Sequence, residues 1–411
     1  MISDEVEPTK KKKTVPEPPS MFSSLPDEII ENILARVSRW KYPSLSLVSK
    51  RFHSLLSSME IYKTRSQIGA SETCVYILLK LPDHPCSSWF FLRTKPNNQN
   101  QTKRRGMIRV KRDSSGFSVV PIPFSSTDSF PELHNITTVG SDIYIIGGPY
   151  KEPSSSVRIF DCRSHTWRDA PNMTVARKNA HTVLVDKKIY VMGGCDIDKY
   201  NANWIEVFDI KSQSWSALPG PGADDEELRN HLRKYSENYY RNIVRDPDVV
   251  NVFEGKIYVT AVGKDYTYDP NNGTWKVVRE KSFISDYIQV SCETGKVICC
   301  CTRSGYLMWS ASEIEGRVWR EIKGLERLRE HPKKGLTTGY KFAQLDCGGK
   351  LLVMWYCSSS IKRRNKILYA KISLESRSCN GREVWGKVEC VDMLTFPVES
   401  YEWFGRVSAS V

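Results

Sequence analysis

Cysteine and histidine are the side chains in this sequence best suited to metal binding or nucleophilic chemistry, and their spacing favours neither. Cys299, Cys300 and Cys301 are adjacent and the other nine of the twelve cysteines are scattered, which suits neither a zinc site nor a disulfide framework. The seven histidines form no H-E-x-x-H pair, and no P-loop, G-x-G-x-x-G or G-x-S-x-G motif occurs. We therefore predict no catalytic residue, no metal site, no cofactor, and reduced cysteines that mostly fill the core. Carboxylates that meet on one face after folding stay an alternative.

The excess of basic side chains could act by attracting anions. The formal net charge is +13. Three runs of cations concentrate it: Lys10 to Lys13; Lys103, Arg104, Arg105, Arg109, Lys111 and Arg112; and Lys362, Arg363, Arg364 and Lys366. Because aromatic residues do not interleave with these charges, solvated tails and loops are favoured over a nucleic-acid surface. Loops that only keep the protein soluble and a basic rim that steers an acidic protein partner are equal alternatives.

The amino end and the hydropathy pattern predict the subcellular location of the protein. The first residues, MISDEVEPTKKKK, hold no apolar core of a signal peptide, and no run of eighteen apolar residues occurs. We therefore expect no membrane association and a cytoplasmic or nuclear location. Residues 1–20 are rich in Lys, Glu and Pro, so we expect them to be disordered.

Short amphipathic helices are predicted directly after this tail. Ser24 and Asp27 form a weak capping box around Pro26. Aliphatic residues then recur at helical spacing: Ile29, Ile30, Ile33, Leu34 and Val37. Pro43 can start a second helix with one apolar stripe: Leu45, Val48, Phe52, Leu55 and Leu56. Such helices bury too little surface to form a strong domain alone, so they either dock on a partner or cap a larger domain. Periodicity does not separate these two readings.

A repeat with the length of a propeller blade follows. The segments SDIYIIGG and KKIYVMGG end in Gly147–Gly148 and Gly193–Gly194, and these pairs stand 46 residues apart. Each is followed by a second strand-like segment that ends in an aromatic residue and Asp, then by a turn and Trp167 or Trp215. This period is typical of a four-stranded propeller blade. We predict that the glycines, the turn aspartates and the tryptophans are structural rather than catalytic.

The repeat weakens but continues through the chain, and it predicts six blades. Six tryptophans mark them: Trp89, Trp167, Trp215, Trp275, Trp319 and Trp385. Upstream, TCVYILLKL and SWFFLR are predicted to be the last two strands of the first blade. Residues 396–411 are predicted to supply its missing inner strands, which closes the ring and removes its open edges.

One insertion interrupts the repeat between Trp215 and the next blade. Apolar residues in it fall on one helical stripe: Leu228, Leu232, Tyr235, Tyr239 and Ile243. Its acids come first and its bases later, which suits a helix dipole. The helix either packs back on the propeller or forms part of a binding face.

Both parts of the chain resemble a known family. The order LPDEIIENIL, a short break, then YPSLSLVSKRFHSLL resembles an F-box, the adaptor-binding module of cullin–RING ubiquitin ligases. Residues 21–411 as a whole resemble the plant-type F-box/kelch-repeat family. The resemblance implies ten adaptor-binding positions: Leu25, Pro26, Ile29, Ile30, Ile33, Leu34, Leu45, Val48, Lys50 and Phe52. Phe52 stands where the family often has Trp, and it keeps an aromatic anchor there.

The resemblance also implies an organisation and a role. Residues 1–20 are a tail, residues 21–66 an F-box, and residues 67–411 a kelch-type propeller of mainly β structure. The implied role is a non-catalytic receptor subunit of an SCF-type ubiquitin ligase, which binds a Skp-type adaptor, through it a cullin, and an unknown client protein. The alternative is an enzyme or nucleic-acid-binding propeller whose amino-terminal helices act only as a cap.

Overall fold

The computed structural model describes most of the chain between Ser24 and Val411. The described residues are 24–82, 87–94, 116–122, 136–148, 152–178, 180–218, 220, 226–230, 250–253, 255–261, 264–279, 288–294, 297–302, 304–311, 319–332, 334–357, 366–377 and 383–411. The predicted tail, the basic runs except Lys366, and most of the predicted insertion helix lie outside them. The chain divides into two compact units, Met1–Ser71 and Glu72–Val411.

The first unit is built from four short α-helices around a small apolar core. The helices are α1 (Asp27–Ala35), α2 (Tyr42–Leu45), α3 (Lys50–Ser57) and α4 (Glu60–Gln67), with a 3-10 turn at Arg39–Lys41. The core is formed by six buried side chains: Ile30, Leu34, Ala35, Tyr42, Leu56 and Ile61. Each helix is too short to be stable alone in water, so this shared core holds the unit together.

A buried arginine ties α4 to the end of α1. Arg65 is 1% exposed, and its Nη1 donates to the carbonyl oxygens of Ala35 (2.9 Å) and Val37 (2.7 Å). Its Nη2 donates to the carbonyl oxygen of Ala70 at 2.6 Å, and its guanidinium lies 5.8 Å from the centroid of the Tyr42 ring. The carboxyl end of a helix has unpaired carbonyl groups and a negative partial charge. The Arg65 guanidinium donates hydrogen bonds to those carbonyl groups, and its positive charge is favourable beside the helix end.

Two predicted helix boundaries are wrong in detail. The N-cap of α1 is Pro26, which has no side-chain acceptor, and the Asp27 carboxylate accepts a hydrogen bond from Arg51 Nε at 2.5 Å. The predicted second helix is divided into α2 and α3. Ser49 has extended backbone and its hydroxyl accepts from the Phe52 N–H at 3.1 Å, so it caps a new helix there.

The second unit consists of six antiparallel four-stranded sheets, which we call blades 1 to 6. Blade 1 holds β1 (Thr73–Lys80), β2 (Ser87–Thr94), β3 (Phe117–Pro121) and β24 (Trp403–Ser410); blade 2 holds β4 (Ile136–Val139), β5 (Asp142–Ile146), β6 (Val157–Asp161) and β7 (Thr166–Ala170). Blade 3 holds β8 (His181–Val185), β9 (Lys188–Met192), β10 (Ile205–Asp209) and β11 (Ser214–Leu218); blade 4 holds β12 (Val250–Phe253), β13 (Lys256–Ala261), β14 (Lys264–Asp269) and β15 (Thr274–Arg279). Blade 5 holds β16 (Ile288–Thr294), β17 (Val297–Thr302), β18 (Leu307–Ala311) and β19 (Arg320–Glu321); blade 6 holds β20 (Gly339–Asp346), β21 (Leu351–Cys357), β22 (Lys366–Arg377) and β23 (Glu383–Thr395). The predicted six-bladed propeller is therefore confirmed.

The last strand of the chain is the inner strand of the first blade. β24 pairs with β1 along its whole length, from Lys80 opposite Trp403 to Thr73 opposite Ser410. It also joins both neighbouring blades: Arg406 Nε donates to the Gln344 carbonyl oxygen at 2.9 Å, and the Ser410 N–H donates to the Gly140 carbonyl oxygen at 2.9 Å. The ring is thereby closed.

The detailed assignment of blade 1 needs a correction. The strands predicted as its last two, β1 and β2, are its second and third strands, and β3 is the fourth. Residues 396–411 therefore contribute one inner strand rather than two. β3 has no tryptophan and no aromatic–Asp turn before it, so the repeat pattern did not reveal it.

The core of the propeller lies between the faces of adjacent blades. One apolar cluster joins blades 5 and 6, including Trp309 and Trp355, and another joins blades 6 and 1, including Phe90 and Tyr369. Further clusters join blades 2 and 3 and blades 3 and 4. A strand with both faces covered needs a continuous apolar run, and β1 shows it: all six residues between its ends are buried.

The repeated glycines follow the second strand of blades 2 and 3, where backbone segments approach closely. A Cβ on Gly148 would lie 1.9 Å from the Glu152 carbonyl oxygen. Gly194 has φ +72°, and a Cβ there would lie 2.7 Å from the Lys178 carbonyl oxygen. Gly194 in turn accepts a hydrogen bond from the Lys178 N–H at 2.9 Å. Only glycine fits such contacts without moving the backbone.

An aspartate closes the turn between the third and fourth strands in three blades. Oδ1 of Asp161, Asp209 and Asp269 accepts a hydrogen bond from the N–H two residues further on, at 2.8, 2.9 and 3.0 Å. This is the turn bond predicted for Asp161 and Asp209.

Tryptophans after these turns pack toward the preceding blade. The Trp167 ring lies 6.1 Å from the Trp89 ring of blade 1, and the Trp275 ring lies 6.2 Å from Trp204, which precedes β10. Trp215 Nε1 donates to the Pro171 carbonyl oxygen at 2.7 Å, just after β7 of blade 2. Each side chain thus joins two blades, as a wedge does.

The other three marker tryptophans differ from these in strand or in pairing, although Trp385 also lies on a fourth strand and contacts Lys323 after β19. Trp89 lies on the third strand of blade 1, opposite Leu78. Trp319 comes directly before β19, and Trp385 pairs with Glu375 rather than with an aromatic residue. They gave the correct number of blades although only three of the six tryptophans are equivalent in the structure.

Candidate functional site

The helical unit carries the largest concentration of exposed apolar side chains in the described part of the protein. Among the described residues of both units, ten large apolar side chains are exposed: Ile29, Ile33, Leu47, Val48, Met59, Val120, Val277, Tyr306, Val391 and Met393. The first five lie within the short helical unit, and we call them the docking set. Exposed apolar side chains so concentrated are typical of interaction surfaces.

Helix α1 divides its aliphatic residues between two faces. Ile30 and Leu34 are 0% and 3% exposed and belong to the core of the unit, whereas Ile29 and Ile33 are 49% and 38% exposed. Because i and i+4 residues share a face, each pair forms its own stripe. Of the predicted adaptor-binding residues on α1, only Ile29 and Ile33 can therefore reach a partner while the unit stays folded.

The turn between α2 and α3 presents the most exposed apolar residues. Leu47 is 86% and Val48 66% exposed, and the Ser49 cap that starts α3 holds them outside both helices. The resemblance gave Val48 but not Leu47. Leu47 lies in the break between α2 and α3, which the sequence pattern predicted to be one helix, so helical periodicity gave no information about its exposure.

An ion pair holds the beginnings of α1 and α3 together. Arg51 Nε donates to Asp27 Oδ1 at 2.5 Å, and Arg51 Nη2 donates to the Leu25 carbonyl oxygen at 2.6 Å. Ile29 follows Asp27 closely, and the Leu47–Val48 turn precedes Arg51. The ion pair therefore keeps the start of α1, which leads to Ile29, next to the start of α3, which follows the Leu47–Val48 turn.

The remaining predicted positions support this surface. Pro26 and Lys50 are exposed at the starts of α1 and α3, while Leu25, Leu45 and Phe52 are half-buried against the core. Phe52 also donates its N–H to the Ser49 cap.

The propeller contains one prominent buried ionic network. Arg177 and Glu206 are both 0% exposed, with Nη2 and Oε2 at 2.9 Å. Glu206 Oε1 accepts from the N–H and the hydroxyl of Thr174, both at 2.7 Å. Arg177 Nη1 donates to the carbonyl oxygens of Gly193 (2.6 Å) and Trp204 (3.0 Å). Both carboxylate oxygens are used, so Glu206 fixes the β7–β8 connection to β10, while Arg177 fixes the same connection to the one between β9 and β10.

The described residues offer little for metal or thiol chemistry. Within them, no three His, Cys, Asp or Glu side chains come close enough to hold a metal ion. Cys299, Cys300 and Cys301 are buried on β17, and burial raises the pKa of the Cys301 thiol. These cysteines are core residues, as predicted. None of the described helices is long and apolar enough to cross a membrane.

Fold and surface together define a two-unit protein, in which a small helical module with exposed apolar side chains precedes a β-propeller. Comparison with known families agrees: an F-box domain model matches residues 22–64, and the FKB95 Kelch-repeats domain model matches residues 89–395. The chain belongs to the F-box/kelch-repeat family, which confirms the resemblance.

Relatives in Arabidopsis thaliana match nearly the whole chain. F-box/kelch-repeat protein At5g39560 is 44% identical over 407 residues, which cover 97% of this chain and 94% of the relative. F-box/kelch-repeat protein At4g19870 is 40% identical over 384 residues, 91% and 88% of the two chains. An F-box joined to kelch repeats fits, in general, the role of a substrate receptor of an SCF-type ubiquitin ligase, and F-box domains generally bind Skp-type adaptors.

Proposed function

We propose that this protein is the substrate-recognition subunit of an SCF-type, cullin–RING ubiquitin ligase in the cytoplasm or nucleus. The F-box, residues 21–66, binds a Skp-type adaptor and through it a cullin. The propeller, residues 67–411, binds a client protein. The observation that carries the proposal is the docking set, because five exposed apolar side chains on so small a unit need a partner to cover them.

The chain itself performs no bond chemistry in this role. Its contribution is proximity, since a client held on the propeller meets the ubiquitin-charged enzyme at a high effective concentration. The arrangement of the family, with a docking module and a separate propeller, supports this division of labour.

Ile33→Asp tests the adaptor-binding surface. Ile33 is 38% exposed, so the substitution leaves the core of the unit intact. In the complex it would bury an unpaired carboxylate, which costs several kcal/mol out of the ~8 kcal/mol of a micromolar complex. We expect a pull-down with a purified Skp-type adaptor to lose the complex.

Two further variants make the result interpretable. Leu47→Asp changes a residue that is 86% exposed and cannot unfold the module, and it should also abolish the complex. Val277→Asp, on β15 of the propeller and 50% exposed, is the matched control and should leave adaptor binding unchanged. Normal adaptor binding by both F-box variants would refute the proposed surface.

A further inference from the structure

A cavity of about 380 Å³ lies at the edge of β23, between blades 5 and 6. There the Gly386 N–H donates to the Lys323 carbonyl oxygen at 2.8 Å. The chain then continues into a short helix, α5 (Glu326–Arg329), which supplies a second wall through Arg327 and Leu328. The volume is in the range of small-ligand sites, roughly 300 to 1,000 Å³.

One face of the β22–β23 pair supplies the polar wall of the cavity. Ser373 lies opposite Lys387, and Glu375 lies opposite Trp385. Cross-strand partners share a face, and so do residues two apart on one strand, so these four side chains and that of Arg377 form one surface. All five residues line the cavity.

A charge-balanced network orders this wall. Arg377 pairs with Glu375 at 3.0 Å, and its guanidinium lies 4.6 Å from the centroid of the Trp385 ring. Trp385 Nε1 donates to Glu383 Oε2 at 3.1 Å, and the same carboxylate accepts a hydrogen bond from Lys323 Nζ. Two carboxylates thus compensate two cations, and the network holds the indole ring in place.

Two further cations at the cavity lack such compensation. Arg327 and Lys387 line the cavity, are exposed, and have no ion-pair partner among the described residues. The neighbouring Glu326 directs its carboxylate to the Gly324 N–H, at 3.2 Å, and is not among the lining residues. The cavity wall therefore has two positive charges beyond the balanced network, which an anion would complement.

We propose that this cavity binds a phosphomonoester, attached either to a protein side chain or to a small molecule. Such a group is close to a dianion at neutral pH and has three strong acceptor oxygens. It therefore complements two cations better than a singly charged carboxylate does. The inference goes beyond the proposed function, because it gives the propeller a ligand whatever the helical unit binds.

The cavity suits a phosphomonoester better than a nucleic acid. The Arg377 guanidinium lies over the Trp385 ring, and a Cβ on Gly324 would lie 3.2 Å from Cε3 of that ring. Because these neighbours already pack on the indole, it offers a base no free stacking platform, which single-stranded nucleic acids need.

Fluorescence polarisation with three labelled peptide mixtures tests the proposal. The mixtures have random flanks around a central phosphoserine, glutamate or serine, and the target is the full-length protein. We expect binding of the phosphoserine mixture alone. The double variant Arg327→Gln, Lys387→Gln should bind it about tenfold or more weakly, because two charge-assisted contacts are lost.

Competition separates the two sources of the phosphate group. Displacement by O-phosphoserine as effective as displacement by unlabelled phosphopeptides assigns the site to small phosphorylated molecules. Displacement that needs a far higher concentration of O-phosphoserine assigns it to a phosphorylated protein segment.

The matched control removes the same net charge elsewhere on the propeller. Lys188→Gln with Lys276→Gln, on β9 of blade 3 and β15 of blade 4, changes two exposed lysines and should leave binding unchanged. Three results would overturn the proposal: glutamate and phosphoserine mixtures that bind equally, equal binding by the two double variants, or tighter binding of a single-stranded oligonucleotide. All variants should still bind the Skp-type adaptor, so failure here is distinct from failure of the proposed function.

Discussion

The Arg177–Glu206 pair is the residue-scale feature on which the packing of blades 2 and 3 most depends. Both groups are removed from water, which is unfavourable for each charge alone. The charge of Arg177 compensates that of Glu206. Backbone groups of the β7–β8 and β9–β10 connections supply the remaining hydrogen bonds. The pair is therefore weak evidence for extra stability, and we expect its main effect to be on the arrangement of the two connections.

Replacing Glu206 with Ala should consequently destabilise the folded protein strongly. It leaves the Arg177 guanidinium buried without its counter-charge, for which we expect a loss of about 3 to 5 kcal/mol in the free energy of unfolding. Urea titration monitored by tryptophan fluorescence measures it. Asp169→Ala is the control, since that side chain is 88% exposed in its pair with Arg158, and its loss should stay below about 1 kcal/mol. Equal losses in the two variants would contradict the argument.

Individual residues also show how far the sequence could predict the candidate site. Ile29 and Ile30 are adjacent and identical, yet one is half exposed and the other belongs to the core. The family pattern includes both, and helical periodicity places both near one stripe. Only the packing of α1 against α3 and α4 separates them, and that packing is a tertiary property that no local pattern contains.

At the scale of elements, the aspartate turn is the best-defined repeat of the blades. In blade 2, Arg163 Nε and Nη2 donate to Asp161 Oδ1 and Oδ2 at 2.9 and 2.7 Å. Burial raises the pKa of Asp161, but these bonds and the backbone N–H of Arg163 outweigh it, so the pKa lies below the ordinary value of 3.8. The turn is thus held by an ionised carboxylate.

The lowered pKa of Asp161 makes the stability that this turn contributes dependent on pH. A lowered folded-state pKa contributes stability that is present above pH 3.8, the unfolded value, and is lost as the pH falls through the folded pKa. Asp161→Asn keeps the turn acceptor but not the charge, so it should unfold at a lower temperature at neutral pH. Its melting curve should then approach that of the unchanged protein in acid. Melting curves that stay equally far apart from neutral pH down to pH 3.8 and below would argue against this role.

Elements with strong local signals were predicted in detail, and the strands of blade 1 only in part. Gly-Gly, the turn aspartate and tryptophan define blades 2 and 3 in the sequence because each residue meets a local requirement of turn or packing. β3 has no such marker and was not predicted. β24 has none either, and residues 396–411 were predicted to close blade 1 only because that blade lacked its inner strands. Pairing between distant segments follows from the closed ring and not from any local pattern.

At the scale of the whole molecule, ring closure rests on β24. The strand covers the inner edge of β1 and connects blade 1 to blades 2 and 6 through Ser410 and Arg406. Without it, β1 would present an open edge of backbone groups, and the apolar faces of the adjoining blades would be exposed.

Deleting residues 403–411 should therefore produce aggregation or a broad, non-cooperative melting curve. Size-exclusion chromatography and differential scanning calorimetry measure the two effects. A synthetic peptide of residues 400–411, added during refolding, supplies the missing strand and should restore a cooperative transition. If the truncated protein is soluble and melts as before, the ring does not depend on this strand.

The position of β24 has a consequence for synthesis. The ribosome makes β1 more than three hundred residues before the strand that must pair with it, which at about 5 to 20 residues per second is roughly 16 to 65 s. During this interval the helical module has already emerged, while blade 1 still lacks its inner strand and its edge is available to other nascent chains. The proposed adaptor recruitment can thus precede completion of the propeller, and we expect a holding chaperone to act most usefully at the first blade rather than at the last.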